Sequence, residues 1–148
     1  MFERYTQNAR SVMDHARQEA QKLKHDHVGT EHVLLGLAEV KSGVAYDILI
    51  HRDICLKTVK AEIVKLVQNG TGHEDTDWEK LPRTKHCQNM VDDAVKEARE
   101  LKHNHIGTEH LLLGLLHENE GTGAQVIRNM GLKLDQVRID VLHFLGKA

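Results

Sequence analysis

The sequence predicts an all-α domain of eight helices, built as two tandem four-helix repeats related by a pseudo-two-fold. Three observations carry that expectation. The stretch HDHVGTEHVLLGL, His25–Leu37, returns as HNHIGTEHLLLGL, His103–Leu115, with ten of thirteen positions identical. The same offset of 78 aligns the halves without a gap, pairing Thr6 with Thr84, Ala16 with Ala94, Ala20 with Ala98, Gly43 with Gly121, Leu56 with Leu134 and Val59 with Val137. Apolar residues recur at spacings of three and four, and no stretch alternates with period two for long enough to make a sheet.

The first helix of each repeat is marked by Ala9, Met13, Ala16, Ala20 and Leu23, and by Val91, Ala94, Ala98 and Leu101. Thr6 and Thr84 stand just ahead of these faces, where an N-cap belongs. A second helix begins near Thr30 and Thr108. With each threonine as N-cap, Glu31 and Glu109 fall in the first turn, where a carboxylate favours the positive end of the helix dipole. Val33, Leu34, Leu35 and Leu37, with Leu112, Leu113 and Leu115 in the second copy, supply a buried face, and Gly36 lets a neighbouring helix approach. A third, short helix follows Gly43 or Gly121. A fourth covers about 57–68 and about 134–145. Between the repeats runs GTGHEDTDWEKLPR, residues 70–83, rich in glycine and acid and holding the only proline. It reads as a linker outside the core. Residues 1–148 thus form one domain, with repeat one over about 2–69, the linker over about 70–83 and repeat two over about 84–146.

Composition narrows the class. Hydrophobic residues at 40% with 28% charged residues suit a folded globule. Twenty Lys plus Arg against 22 Asp plus Glu give no basic field to draw nucleic acid or an anionic membrane. The apolar runs are too short to span a bilayer, and MFERYTQNAR lacks the apolar core of a secretory signal. Cys55 and Cys87 make neither a disulfide framework nor a CxxC knuckle, so a reducing cytoplasm is expected, with both thiols packed as small hydrophobes.

The head of the repeated motif invites a metal reading. His25, His27 and His32 recur as His103, His105 and His110, with Glu31 and Glu109 beside them, and imidazoles and carboxylates are metal ligands. The spacing fits no structural zinc signature, and no cysteine lies near. The expectation is therefore no metal and no cofactor, with the histidines bonding backbone groups or filling packing gaps. A metal-stabilised histidine protein stands as the alternative from another class. Catalysis has less support still, because the chain contains no phosphate loop, no nucleophile elbow and no dinucleotide fingerprint.

The chain resembles the N-terminal domain of the Clp ATPases, that of ClpC above all. The resemblance is carried by Met1-Phe2-Glu3-Arg4-Tyr5-Thr6, the twin GTEH segments with their LLGL tails, Ser42-Gly43-Val44-Ala45 and Glu120-Gly121. It spans essentially the whole chain. It implies a recognition module on an AAA+ unfolding machine, receiving substrate proteins and adaptor proteins that the ATPase ring threads into a ClpP-type peptidase. The motor belongs to later domains of such proteins, so no enzymatic activity is expected of this chain.

The resemblance further implies that Glu31 and Glu109 bind phosphoarginine, a degradation mark, as the GTEH glutamates do in ClpC-type domains of Gram-positive bacteria. A carboxylate suits the guanidinium, and helix N-terminal N–H groups with a hydroxyl or ammonium suit the phosphoryl group. Helix-terminus physics makes Thr6, Thr84 and Lys85 the candidates for the phosphate side. Three departures bear on this transfer. His27 and His105 stand where the family commonly has an aromatic. Lys85 follows Thr84 where many relatives have proline, and Asp26 faces Asn104 in the other copy. The charge of Asp26 is expected to make the first site the weaker one. The alternative within binding modules is an adaptor-docking or free-standing Clp-repeat protein in which the motif is structural.

Overall fold

Eight α-helices follow one another through residues 4–68, 70 and 80–146, the part of the chain that the computed structural model describes. They are α1 Gln7–Lys22, α2 Thr30–Glu39, α3 Val44–His51 and α4 Leu56–Leu66, then α5 Lys85–Glu100, α6 Thr108–Glu118, α7 Thr122–Asn129 and α8 Leu134–Phe144. The all-α class and the two four-helix units are as the periodicity and the repeat require.

Local chemistry starts and stops each long helix. Thr6 sits in extended backbone and its hydroxyl accepts the Ala9 N–H at 3.1 Å. Thr84 does the same for Cys87 at 3.1 Å. Both are the expected N-caps. At the far end, Lys24 turns left-handed at φ 60°, and the N–H groups of Lys24 and His25 return to the carbonyls of Gln21 and Ala20. Lys102 and His103 repeat the arrangement on Arg99 and Ala98. This is the 6→1, 5→2 closure that usually employs glycine.

The first two helices of each repeat pack against each other, α1 on α2 and α5 on α6. Gly36 is why they come so close: a Cβ there would lie 2.4 Å from the Val12 carbonyl oxygen, and one on Gly114 would lie 2.4 Å from that of Met90. Leu34, Leu35, Leu37, Leu112, Leu113 and Leu115 are all buried in one core.

The two repeats are joined by reciprocal contacts. Tyr5 bridges Ile106, and Arg83, its counterpart at the 78-residue offset, bridges Val28. Thr30 and Thr108 complete the pattern, and here the sequence expectation needs correcting. The N-caps of α2 and α6 are Gly29 and Gly107, and the threonines are the first helical residues. Their buried hydroxyls reach across instead. Thr30 Oγ1 accepts the Gly123 N–H of α7 at 2.9 Å, and Thr108 Oγ1 accepts the Ala45 N–H of α3 at 3.1 Å. Each repeat therefore caps the third helix of the other.

The expected linker is corrected at its end. Residues 71–79 lie outside the described part, but Leu81 is buried at 7% exposure among core residues. Val28 N–H donates to the Pro82 carbonyl and Thr84 N–H to the Val28 carbonyl, both at 2.8 Å. An apolar side chain next to a pinned backbone is drawn inward before α5 begins. These bridges are isolated, and no strand occurs among the described residues.

Replacing Thr30 or Thr108 with valine keeps the shape and strands a buried N–H on the opposite repeat. Each substitution should lower unfolding free energy by about 1–3 kcal/mol in urea titration. Thr122→Val, at the half-buried first residue of α7, whose hydroxyl bonds nothing across the repeats among the described residues, should stay within about 0.5 kcal/mol.

Candidate functional site

The turn into α2 is organised by a histidine relay. His32, third in the helix, accepts the Gly29 N–H on Nδ1 at 2.8 Å. That contact places the ring proton on Nε2, which donates to His25 Nδ1 at 2.8 Å. His25 Nε2–H then donates to the Gln68 carbonyl at 2.8 Å. The second copy matches: Gly107 N–H to His110 Nδ1, then His110 Nε2–H to His103 Nδ1, each 2.8 Å. Burial pushes the pKa of His32 down to about 3 and that of His110 down to about 4, with the neighbouring histidine adding to each shift. Both rings are neutral structural acceptors.

The relay speaks against the metal reading. Ligand atoms of His25, Glu31 and His32 lie within 4.8 Å of one another, as do those of His103, Glu109 and His110. The lone pair of His32 Nδ1 is taken by the backbone and its Nε2 carries the proton, so neither nitrogen is available without breaking the turn. A third convergence of His86, Glu118 and Glu120 is also occupied internally. Glu118 accepts from His86 at 2.6 Å and from the Gly121 N–H at 2.8 Å.

Glu31 and Glu109 follow the turn as second helical residues and are partly exposed. Each carboxylate folds back over the glycine two residues earlier: a Cβ on Gly29 would sit 2.3 Å from Glu31 Oε1, and one on Gly107 would sit 2.5 Å from Glu109 Oε1. The glycine in the motif thus makes room for the carboxylate at the helix entrance. Among the described residues neither glutamate forms an ion pair with a side chain.

The candidate residues come together crosswise, which the sequence reading did not anticipate. Thr6 N–H donates to the Ile106 carbonyl at 3.0 Å, drawing the start of α1 beside the Glu109 turn. Thr6 and Glu109 line one shallow depression of about 390 Å³, together with Lys102, His103, Asn104, Gly107 and Leu145. The equivalent bridge brings Thr84 beside Val28, three residues before Glu31. Glu31 is also among the charges acting on the buried Cys87 thiol in the first turn of α5, a thiol that burial pushes up to about 12. Lys85 is the exposed first residue of α5, where α1 has Gln7. Asp26 is exposed, and its bond from His27 at 2.7 Å holds its carboxyl below the usual carboxylate range.

Lys102 was missed by the sequence reading. It lines the Glu109 depression in left-handed backbone, an unusual state for lysine. The signal was present in Leu-Lys-His, which precedes both motifs as residues 23–25 and 101–103. The cysteine expectation holds for Cys87, which is buried, and fails for Cys55, which is exposed. Cys55 occupies the N-cap of α4, and the Thr58 N–H lowers its thiol pKa.

The family model for the Clp repeat N-terminal domain matches residues 4–82 and again 83–148. A relative from Guillardia theta, described as an ATP-dependent Clp protease ATP-binding subunit ClpA homolog, is 41% identical over 146 residues. That match covers 99% of this chain and 18% of the relative. The chloroplastic chaperone protein ClpC1 of Arabidopsis thaliana is 40% identical over 147 residues, covering 99% of this chain and 16% of its own length. The chain therefore spans under a fifth of the length of these curated relatives. Among solved structures, the N-terminal domain of ClpD from Arabidopsis thaliana superposes with a TM-score of 0.77 at 21% identity, covering 98% of this chain and 99% of that one. The Hsp104 N-terminal domain from Candida albicans gives 0.76 at 15%, covering 99% and 94%. At these identities the two structures speak for the fold.

The histidine relay has a pH signature. Folded pKa values below the ordinary 6.5 mean that folding favours the neutral rings. Their contribution is present above about pH 6.5 and is lost as pH falls towards the folded values. Each histidine should account for roughly 2 kcal/mol of lost stability by pH 5. In His32→Gln/His110→Gln, stability at pH 7 should fall while the slope of unfolding free energy between pH 6.5 and 4 flattens. An unchanged slope would assign the acid sensitivity elsewhere.

Proposed function

The chain belongs to the Clp repeat N-terminal domain family, and from that premise we propose that it is the substrate- and adaptor-recognition domain of a ClpC-type AAA+ unfoldase feeding a ClpP-type protease. We infer further that it receives phosphoarginine on marked substrate proteins, with Glu31 and Glu109 as the carboxylates. The observation that supports the ligand is the crossed pairing of Thr6 with Glu109 around one depression. A carboxylate without an internal cation faces the guanidinium. The start of α1, the Thr6 hydroxyl and the Lys102 ammonium offer the phosphoryl group a positive field. At the other site Glu31 takes the guanidinium, with Thr84 and Lys85 on the phosphate side. In this reading the domain performs no chemistry; it holds a charged side chain while a motor elsewhere in the parent protein acts on the rest.

If Glu31 and Glu109 serve only the helix dipole, Gln at either position should cost about 0.3–1 kcal/mol of stability and change no binding. If they receive a guanidinium, each loses a charge-assisted contact worth roughly 1.5–3 kcal/mol. Affinity for a phosphoarginine peptide should then fall about ten-fold or more per site, with the melting temperature hardly moved. The double replacement should abolish binding, and the site beside Asp26 should be the weaker one in the parent. Gly29→Ala/Gly107→Ala tests position without altering charge, because the added methyl displaces the carboxylate. Calorimetry in which Glu31→Gln/Glu109→Gln binds as well as the parent would return both acids to the dipole role and leave adaptor docking as the function. The purified chain should also hydrolyse ATP and casein no faster than buffer. Activity that tracks the chain through purification would refute the recognition-module reading.

A further inference from the structure

Beside the Glu109 depression lies a second, larger groove of about 680 Å³, between the start of the chain and the last turns of α5. The two share His103, Asn104 and His105, so they form one continuous surface. Arg4, Lys96 and Arg99 line the groove with one carboxylate, Asp92, which accepts a bond from Gln88 at 3.1 Å; Lys96 also lies 4.0 Å from Asp93, outside the lining. Arg4 is held there through its backbone, since its carbonyl accepts the Ile106 N–H at 2.8 Å. The chain as a whole has a net charge of −2, so this cationic concentration runs against the overall sign.

The first repeat lacks it. At the 78-residue offset, Arg4, Lys96 and Arg99 become Pro82, Gln18 and Gln21, and Asn104 becomes Asp26. At the counterparts of the lining positions the one cation gained is Arg17 in place of Val95, and it faces Asp14 at 3.5 Å. Outside them Arg83, in place of Tyr5, bonds Gln88 at 3.2 Å, and Lys85 stands in place of Gln7. The duplicated fold is therefore electrostatically unequal where a bound polypeptide would run on from each glutamate.

We infer that the groove of Arg4, Lys96 and Arg99 is a subsite for acidic residues flanking the side chain held at Glu109, so that the second site selects acidic segments and the first does not. The inference rests on the reading that the domain binds polypeptide chains. Its occupant is a peptide rather than a nucleic acid, because the groove has no Phe, Tyr or Trp ring to stack a base and the chain has no net positive field. Carboxylates beside three cations gain from each, and the gain is screened by salt.

Fluorescence anisotropy at low ionic strength tests this with three labelled peptides. One carries phosphoarginine between neutral residues, one carries it between glutamates, and one is acidic with no arginine. Acidic flanks should raise affinity for the parent chain about ten-fold. Lys96→Gln/Arg99→Gln, which installs the residues of the first repeat at exposed positions, should erase that gain and leave the neutral peptide within about two-fold. Absence of the gain, or its survival in the double variant, overturns the subsite. So does an oligonucleotide of equal charge that outcompetes the acidic peptide on the parent and not on the variant. If the neutral marked peptide binds nothing while the arginine-free acidic peptide binds the parent and not the variant, the phosphoarginine reading falls and the subsite stands.

Discussion

Two buried hydroxyls, those of Thr30 and Thr108, tie each repeat to the helix that the other could not finish alone. The third helices, α3 and α7, begin at Gly43 and Gly121 without a side-chain cap of their own. The N–H groups of their second residues, Ala45 and Gly123, are buried and need acceptors, since an unpaired backbone donor away from water is costly. The opposite repeat supplies them. The glycines are the counterpart of that supply, for a Cβ on Gly121 would lie 2.5 Å from Thr30 Oγ1 and one on Gly43 would lie 2.7 Å from Thr108 Oγ1. A half-chain would expose these donors along with the leucines of α2 and α6, which touch each other across the interface. The repeat is thus a unit of sequence and not of stability, and the sites that sit on it inherit the pairing.

Not every contact obeys the two-fold, and the exceptions separate what the fold requires from what it tolerates. His15 pairs with Glu39 at 3.0 Å between α1 and α2. At the equivalent places the second repeat has Asp93 and His117, the same pair with acid and base exchanged, at 3.3 Å. A histidine–carboxylate pair at that helix crossing is retained while the two positions exchange residues. Arg52 holds Asp140 through two bonds of 2.8 and 2.9 Å, joining α3 of one repeat to α8 of the other, and Met130 stands at the counterpart of Arg52. The core and the caps are symmetric, whereas the charged shell has diverged.

That division also explains what the sequence made legible. Spacing of three and four identifies helices because burial acts on one face, so Ala9 to Ala20, the LLGL leucines and the close approach at Gly36 could be read directly. Thr6 and Thr84 were readable as caps because their partners lie three residues away. Thr30 and Thr108 were not, because the N–H groups they satisfy lie 93 and 63 residues along the chain, and local rules assign a threonine to the nearest donor. That the motif histidines bond backbone groups was legible, but which group His32 takes was not. An imidazole can serve as ligand, base or cap, and only the Gly29 N–H fixes the choice. The pairing of Thr6 with Glu109 needed the crossed bridges, which no periodicity records. Leu81 went astray because a linker was assigned by composition, and Cys55 because a thiol was taken to be a packed small hydrophobe, although burial is decided by the neighbouring backbone.

The glutamates illustrate how such constraints produce a site. A first-turn acid on an ordinary helix is free to point into solvent or to join a lysine one turn on. Here Gly29 and Gly107 leave a hollow at the helix entrance that the carboxylate fills, over a histidine ring whose neutral state is set by burial and by the backbone. No side-chain cation among the described residues answers the charge, and the ring beneath cannot readily become one. A carboxylate held in place, near a helix N-terminus from the other repeat and without an internal counter-ion, is stabilised by a cation that arrives from outside. The histidine that looks like a metal ligand in the sequence is, on this argument, what keeps the glutamate available: it occupies the turn, takes the backbone donor, and contributes no positive charge at neutral pH.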